Sequence, residues 1–261
     1  LKNGCMLQVL VLFLNNTMEI ADTEFALTEL AEATLHILIR IFALDPEHSN
    51  FPVTILSMGR MAGHEMTFGS DLDLLFLYEK DDLDVNTQIG KTIRVLLRTI
   101  AKQSPVGSLY EVDMRLRPHG NSGPLMSSYQ SFIDYHLGKR EVWEKQMMTR
   151  CKPILIKSEG INPLLNQLNS IIYSEYDQDY LLHEIVAMRK RVQHELGSPK
   201  GKYEIKRGFG GIMDIDFITH FFQLAHGLRF KDLQNSSTRR ILQIMHDVKL
   251  VEKSTTDLLI D

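Results

Sequence analysis

The chain has 261 residues, of which 44% are hydrophobic, and a formal net charge of −4. That length buries a substantial core and suits more than one domain. The acidic balance excludes a polybasic nucleic-acid binder while leaving room for a local basic cleft, and two cysteines, Cys5 and Cys151, exclude a disulfide framework and fit a reducing cytosol.

The chain opens at Leu1 rather than Met, which reads as a piece of a longer protein. The opening lacks the charged start and cleavage site of a signal peptide. The apolar stretch from Leu7 to Leu14 is too short to span a bilayer, so no membrane role is expected. Periodicity leaves that stretch open between helix and strand. From Thr23 to Phe42, Phe25, Leu27, Leu30, Ala31, Leu35, Leu38 and Phe42 recur at three- and four-residue steps, which predicts a helix packed on a sheet. Asp22 or Thr23 is placed to cap it. Asp45-Pro46 and Asn50-Phe51-Pro52 bracket a loop.

The apolar run Val53 to Met58 predicts a strand ending at Gly59. A polar, glycine-broken segment with a short helix follows, then a second strand, Leu72 to Tyr78. Alternation along a strand puts Asp71 and Asp73 on one side. An isolated Asp-x-Asp pair is usually a solvated face. This one lies against an apolar strand, after Gly69-Ser70 and after a strand that ends in glycine. Two close carboxylates repel, and a hard divalent cation such as Mg²⁺ or Mn²⁺ removes the conflict. Gly69 and Ser70 add a permissive backbone and a hydroxyl suited to the approach of a phosphate.

Lys80 to Asp84 reads as an acidic, solvated tip. Asn86 to Gln103 is an amphipathic helix with Ile89, Ile93, Leu96, Leu97 and Ile100 inward. Ser104 to Ser108 is a turn. Leu109 to Leu116 reads as a strand, with Glu111, Asp113 and Arg115 on one face. Pro118 to Pro124 is a rigid polar loop. Residues 127–150 read as helix, capped by Ser127 or Ser128, with Trp143 as a packing anchor. Beyond Pro153 helices dominate. One starts near Asn162-Pro163, and another runs from Tyr180 to Leu196, stopped by Gly197-Ser198-Pro199. Arg189-Lys190-Arg191 reads as a charged solvent face. Lys206 to Gly211 precedes a helix from Ile212 to Leu228; a glycine-rich approach to a helix can bind phosphate but is weak evidence alone. Asp214 and Asp216 do not share a helix face well, so no second metal pair is expected. A last helix covers Thr238 to Val251. His64-Glu65 lacks the second histidine of a zinc protease, and neither a Walker loop nor a Gly-x-Ser-x-Gly elbow is present.

Gly59-Arg60, a ten-residue spacer, and Asp71-Leu72-Asp73 resemble the nucleotidyltransferase superfamily that includes DNA polymerase β, with Arg60 where a small residue is usual. Three longer blocks, MGRMAGHEMTFGSDLDLLFLYE at 58–79, LYEVDMRLRPHGNSGPL at 109–125 and IKRGFGGIMDIDFI at 205–218, resemble the glutamine synthetase adenylyltransferase family. That resemblance implies an α+β fold, a polymerase β-like mixed sheet flanked by helices over residues 1–158, followed by a helical bundle over 159–261 that covers one side of the cleft. It implies a third metal carboxylate, best matched by Asp113 with Glu111 as fallback. It implies transfer of AMP from ATP to a tyrosyl hydroxyl of glutamine synthetase in the cytoplasm, with two Mg²⁺ or Mn²⁺ ions on Asp71, Asp73 and Asp113. One ion would acidify the hydroxyl and the other would steady the triphosphate, while Asp113 accepts the nucleophile's proton, directly or through metal coordination. Arg60, Arg115 and Arg117 are then candidates for the phosphate charge, and Gly59, Gly69 and Ser70 for the nucleotide's surroundings. A PII-type signalling protein and glutamine are the implied regulators of the full-length enzyme. Two alternatives stay open: the family's other half, which removes AMP by phosphorolysis and which Asn121 to Leu125 resembles, and a silent module that binds nucleotide or a partner. A template-dependent polymerase fits an acidic chain poorly.

Overall fold

Two helices precede the first strand in this computed structural model, whose described residues are 1–42, 53–79, 83–105, 107–138, 141–155, 160–196 and 204–260. The ambiguous opening stretch is helical, α1 (Lys2–Leu14). Helix α2 (Ile20–Phe42) starts ahead of Thr23. The Thr23 hydroxyl donates to the Glu19 carbonyl at 2.9 Å, so Thr23 bonds back along the helix and is not its cap. Leu27, Ala31, Leu35 and Leu38 of α2, as the helical spacing predicted, and Ile39 beside them share one core with Ile55, Leu72, Leu74 and Phe76, whereas Phe25 of the predicted set is exposed. The loop bracketed by Asp45-Pro46 and Asn50-Phe51-Pro52 lies outside the described residues.

Strand β1 (Val53–Met58) pairs antiparallel with β2 (Leu72–Tyr78), from Val53 opposite Tyr78 to Ser57 opposite Leu74. Every residue of β1 is buried. Near-continuous apolar runs of this kind are what a strand covered on both faces requires. A short helix, α3 (Gly59–Ala62), leaves β1. Helix α4 (Leu83–Ala101) follows β2 and buries Ile89, Ile93, Leu96 and Ile100. Residues 80–82 of the acidic tip lie outside the described residues. Two short strands, β3 (Val112–Asp113) and β4 (Ser127–Ser128), both run parallel to β2, at its start and its end respectively. Strand β5 (Cys151–Leu155) pairs antiparallel with β1. The order is β3-β2-β1-β5, with β4 also on β2. The expected α+β fold, a mixed sheet flanked by helices, is what the described residues form.

Several expected elements are cut differently. The strand expected over Leu109 to Leu116 is reduced to Val112–Asp113. The N–H groups of Leu109 and Tyr110 bond the Ile100 carbonyl at the end of α4, and the Arg117 N–H turns back to the Met114 carbonyl. The helix expected over 127–150 is two helices, α5 (Tyr129–Leu137) and α6 (Val142–Met148). Ser128 caps α5 by accepting the Ser131 N–H at 3.1 Å, and Glu141 with Glu144 forms a capping box that starts α6 anew. Strand β5 was not expected, because Pro153 interrupts its pattern. An edge strand tolerates proline, and Pro153 sits at a register irregularity opposite Leu56.

The chain divides into two compact units, Leu1–His136 with Cys151–Leu165, and Leu137–Arg150 with Asn166–Asp261. Residues 137–150 group with the second unit although they fall within the 1–158 expected for the catalytic domain; the 158/159 boundary itself lies outside the described residues. Helix α7 (Ile161–Ile172) begins one residue before Asn162-Pro163, near the predicted start. The second unit contains α8 (Gln178–Leu196), α9 (Ile212–His226), α10 (Thr238–Asp247) and α11 (Lys253–Ile260). Leu233, Ile241, Leu242, Ile244 and Met245 form a core there. The helix expected to reach Val251 stops at Asp247, just before Lys249, which takes a left-handed φ of 61°. The Gly197-Ser198-Pro199 stop lies outside the described residues. Among those described, no helix is long and apolar enough to cross a membrane.

Candidate active site

Three carboxylates converge where β2 and β3 begin side by side. The parallel register places Asp73 opposite Asp113, and opposed residues of neighbouring strands share a face. The Leu72 N–H donates to the Glu111 carbonyl at 2.9 Å, fixing the start of both strands. Asp71 stands immediately ahead of β2. One oxygen from each of Asp71, Asp73 and Asp113 lies within 4.8 Å of the others, with Asp71 exposed and the other two half-buried. The Glu111 carboxylate is outside this group. Each pair at that separation repels by roughly 1 kcal/mol even with water-like screening. An all-oxygen donor set at this spacing suits a hard divalent cation, which would relieve that repulsion.

Gly59 is fitted to Asp73. Its φ is +58°, and a Cβ added there would lie 2.7 Å from Asp73 Oδ2. Both the left-handed backbone and the close approach demand glycine. Arg60 follows in α3, half-buried, and its carbonyl accepts the Glu65 N–H at 2.9 Å. Ser70 Oγ accepts the Thr67 N–H at 2.9 Å and closes the turn that delivers Asp71. Gly69 is exposed, and a Cβ there would meet nothing within 4 Å, so the fold does not require glycine at that position.

The two arginines of the Arg-Leu-Arg block differ. Arg115 grips Asp113: its backbone N–H donates to Oδ1 at 2.8 Å, Nε donates to Oδ1 at 3.0 Å and Oδ2 at 2.8 Å, and Nη2 donates to Oδ2. These hydrogen bonds hold the Asp113 carboxyl below its ordinary range, against the opposing effect of partial burial. The guanidinium is in turn raised, first by Asp113 and more weakly by the charges of Asp71 and Asp73. Arg117 instead donates to the carbonyls of Met114 at 3.1 Å, Asn121 at 3.3 Å and Gly123 at 3.4 Å. It thereby fastens the Pro118 to Pro124 loop, where His119 packs edge-on against Tyr135. The one sign of the Asp113–Arg115 grip in the sequence is that both fall on the same face of the predicted strand.

Two buried arginines of the second unit, Arg189 and Arg150, pair with aspartates of α9. Arg189 is 8% exposed, in contrast to the solvent face expected for Arg189-Lys190-Arg191, while Lys190 and Arg191 are exposed as expected. Its Nε donates to Asp214 Oδ1 at 2.5 Å and its Nη2 donates to the Arg207 and Gly208 carbonyls at 2.9 Å. The N–H groups of Gly210, Ile212 and Met213 are taken by Asp214 Oδ2, the Ile205 carbonyl and the Lys206 carbonyl. Among the described residues these N–H groups are therefore satisfied by their own loop and by Asp214, and are not turned to a phosphate. Asp216 accepts from Arg150 Nη1 at 3.1 Å. The two early aspartates of α9 thus bind arginines, an ion-pair role beyond the helix-dipole effect that the sequence suggested.

The family model for glutamate-ammonia ligase adenylyltransferase matches residues 1–163. The chain is 30% identical, over 99% of its length, to the bifunctional glutamine synthetase adenylyltransferase/adenylyl-removing enzyme of Alteromonas mediterranea, of which it covers 28%. Proteins of the same name from Bradyrhizobium diazoefficiens and Neisseria meningitidis are 27% and 31% identical over 94% and 80% of the chain, which covers 26% and 23% of them. The chain spans about a quarter of the length of the curated relatives it matches.

Proposed function

This chain belongs to the glutamate-ammonia ligase adenylyltransferase family, and on that premise we propose that it transfers AMP from ATP to a tyrosyl hydroxyl of glutamine synthetase, releasing pyrophosphate. The observation that carries the reading is the convergence of Asp71, Asp73 and Asp113 to within 4.8 Å. The direction of transfer is supported by the resemblance of Leu109-Tyr110-Glu111-Val112-Asp113 and of the Asp71 to Glu79 stretch to the transferring half of the family. The chemistry is assigned to residues 1–158, with 159–261 as a helical accessory domain. In the longer enzyme, working in the cytoplasm, a PII-type signalling protein and glutamine are the proposed regulators.

In this reading Asp71, Asp73 and Asp113 would hold Mg²⁺ or Mn²⁺ through their carboxylate oxygens. Bound there, the metal supplies acidification of the attacking hydroxyl and neutralisation of triphosphate charge. The tyrosyl oxygen bonds to the α-phosphorus while the bond from that phosphorus to the bridging oxygen breaks, and pyrophosphate leaves with the electron pair. Asp113 takes the hydroxyl proton on a carboxylate oxygen. Arg60 and Arg115 offset charge growing on the phosphates. Arg117 acts at one remove, by holding the loop from Met114 to Gly123. Gly59 lets Asp73 into place, and Gly69 with Ser70 forms the turn before Asp71.

Product analysis tests the direction. Pyrophosphate released from ATP in the presence of unmodified glutamine synthetase supports transfer. ADP released from adenylylated synthetase and phosphate would assign the chain to the removing half instead, and neither product would favour a regulatory module.

A further inference from the structure

Asp113 is claimed twice. It belongs to the converging carboxylate group, yet both of its oxygens already accept two hydrogen bonds each from Arg115. A carboxylate offers about four lone-pair sites, and three N–H groups of Arg115, the backbone N–H, the Nη2–H and an Nε–H shared between both oxygens, occupy most of them. A cation that ligates Asp113 competes with the two guanidinium donors, Nε and Nη2.

The arrangement makes that displacement easy. The Arg115 side chain is 73% exposed, whereas that of Asp113 is 15% exposed. The carboxylate is fixed by its place on β3, and the guanidinium stands largely in solvent. Its positive charge also interacts favourably with Asp71 and Asp73, so it stands where a cation's charge is wanted. Arg117 offers no such exchange, because its fork is engaged by the carbonyls of Met114, Asn121 and Gly123.

We propose that Arg115 is a positioning residue that latches Asp113 while the carboxylate group is without metal, competes with the divalent cation for it, and on displacement turns its guanidinium to the phosphates of the nucleotide. The two ligands then help each other: the cation frees the guanidinium, and a phosphate that captures the guanidinium keeps it off Asp113. Such coupling is reciprocal by necessity. The latch rests on the reading that Asp71, Asp73 and Asp113 form a cation site.

Mn²⁺ binding in the absence of nucleotide, followed by the electron paramagnetic resonance of the free ion, tests it in wild type, Asp73→Asn, Arg115→Gln and Arg115→Lys. Both Arg115 variants are expected to bind Mn²⁺ about threefold to tenfold tighter than wild type. The lysine variant keeps the charge and loses the fork, so tightening there cannot come from a change in net charge. Wild-type affinity in Arg115→Lys, or unchanged or weaker affinity in Arg115→Gln, overturns the latch. Failure of wild type to bind Mn²⁺, or equal binding by Asp73→Asn, overturns the cation site beneath it.

Discussion

Gly59 and Asp73 are pressed together so closely that a Cβ at residue 59 would sit 2.7 Å from Asp73 Oδ2. Because Gly59 also holds φ at +58°, Gly59→Ala meets two penalties. The left-handed backbone costs about 1 kcal/mol, and the methyl group must push the carboxylate away. We expect at least about a tenfold fall in transfer rate, since an ångström-scale misplacement of a reacting group has effects of that order or more. Urea denaturation alongside steady-state assay checks both parts. A variant with wild-type activity would show that Asp73 does not need its present position.

Asp73→Asn removes one of three mutually repelling charges. Without metal the variant is expected to be as stable as wild type, or more stable by up to about 2 kcal/mol, since Asp73 belongs to two of the three repelling pairs. Mn²⁺ should raise the unfolding temperature of wild type by mass action and leave that of the variant unmoved. Thermal unfolding with and without Mn²⁺ measures the difference.

In the second unit, Arg189 ties α8 to the loop before α9 through Asp214 and two carbonyls. Arg189→Ala strands a partly buried carboxylate and two acceptors, at an expected cost of about 3 kcal/mol. Replacing both partners, Arg189→Met with Asp214→Asn, should recover part of that loss because no charge is left unpaired. Chemical denaturation of the single and double variants decides it.

His220 is pushed down to about 3, by burial first and by the charge of Arg150 second. In the unfolded chain a histidine titrates near 6.5, so as pH falls the unfolded state takes up a proton that the folded state refuses. Stability should therefore decline from about pH 6.5 towards pH 3, by at most about 1.4 kcal/mol per pH unit from this group. Asp113, held below its ordinary range by Arg115, contributes stability that is lost only at lower pH, beneath the usual carboxylate range. Urea midpoints between pH 7.5 and 5 should fall in wild type and fall less steeply in His220→Gln.

The parts legible in the sequence are those set by local pattern. The buried runs of β1 and β2, the 3–4 spacing of α2 and α4, and the Asp71-Leu72-Asp73 pair carry their structure in a few consecutive residues. The rest depends on partners far along the chain. Arg189 reads as solvated until Asp214 and the Gly208 carbonyl close around it. Strand β5 hides behind Pro153, which only its edge position permits. The expected strand at 109–116 is shortened because the last turn of α4 captures two of its N–H groups. Arg115 and Arg117 look alike in sequence, and a single turn, from the Arg117 N–H to the Met114 carbonyl, sends one to a carboxylate and the other to a loop.

The most direct test of nucleotidyl transfer at this carboxylate group is the intact mass of glutamine synthetase subunits after incubation with the chain, ATP and Mg²⁺. The expected result is a gain of one AMP per modified subunit, mapped to a tyrosine and absent with Asp71→Asn/Asp73→Asn. An unchanged mass with wild type, or the same gain with the double variant, would contradict it.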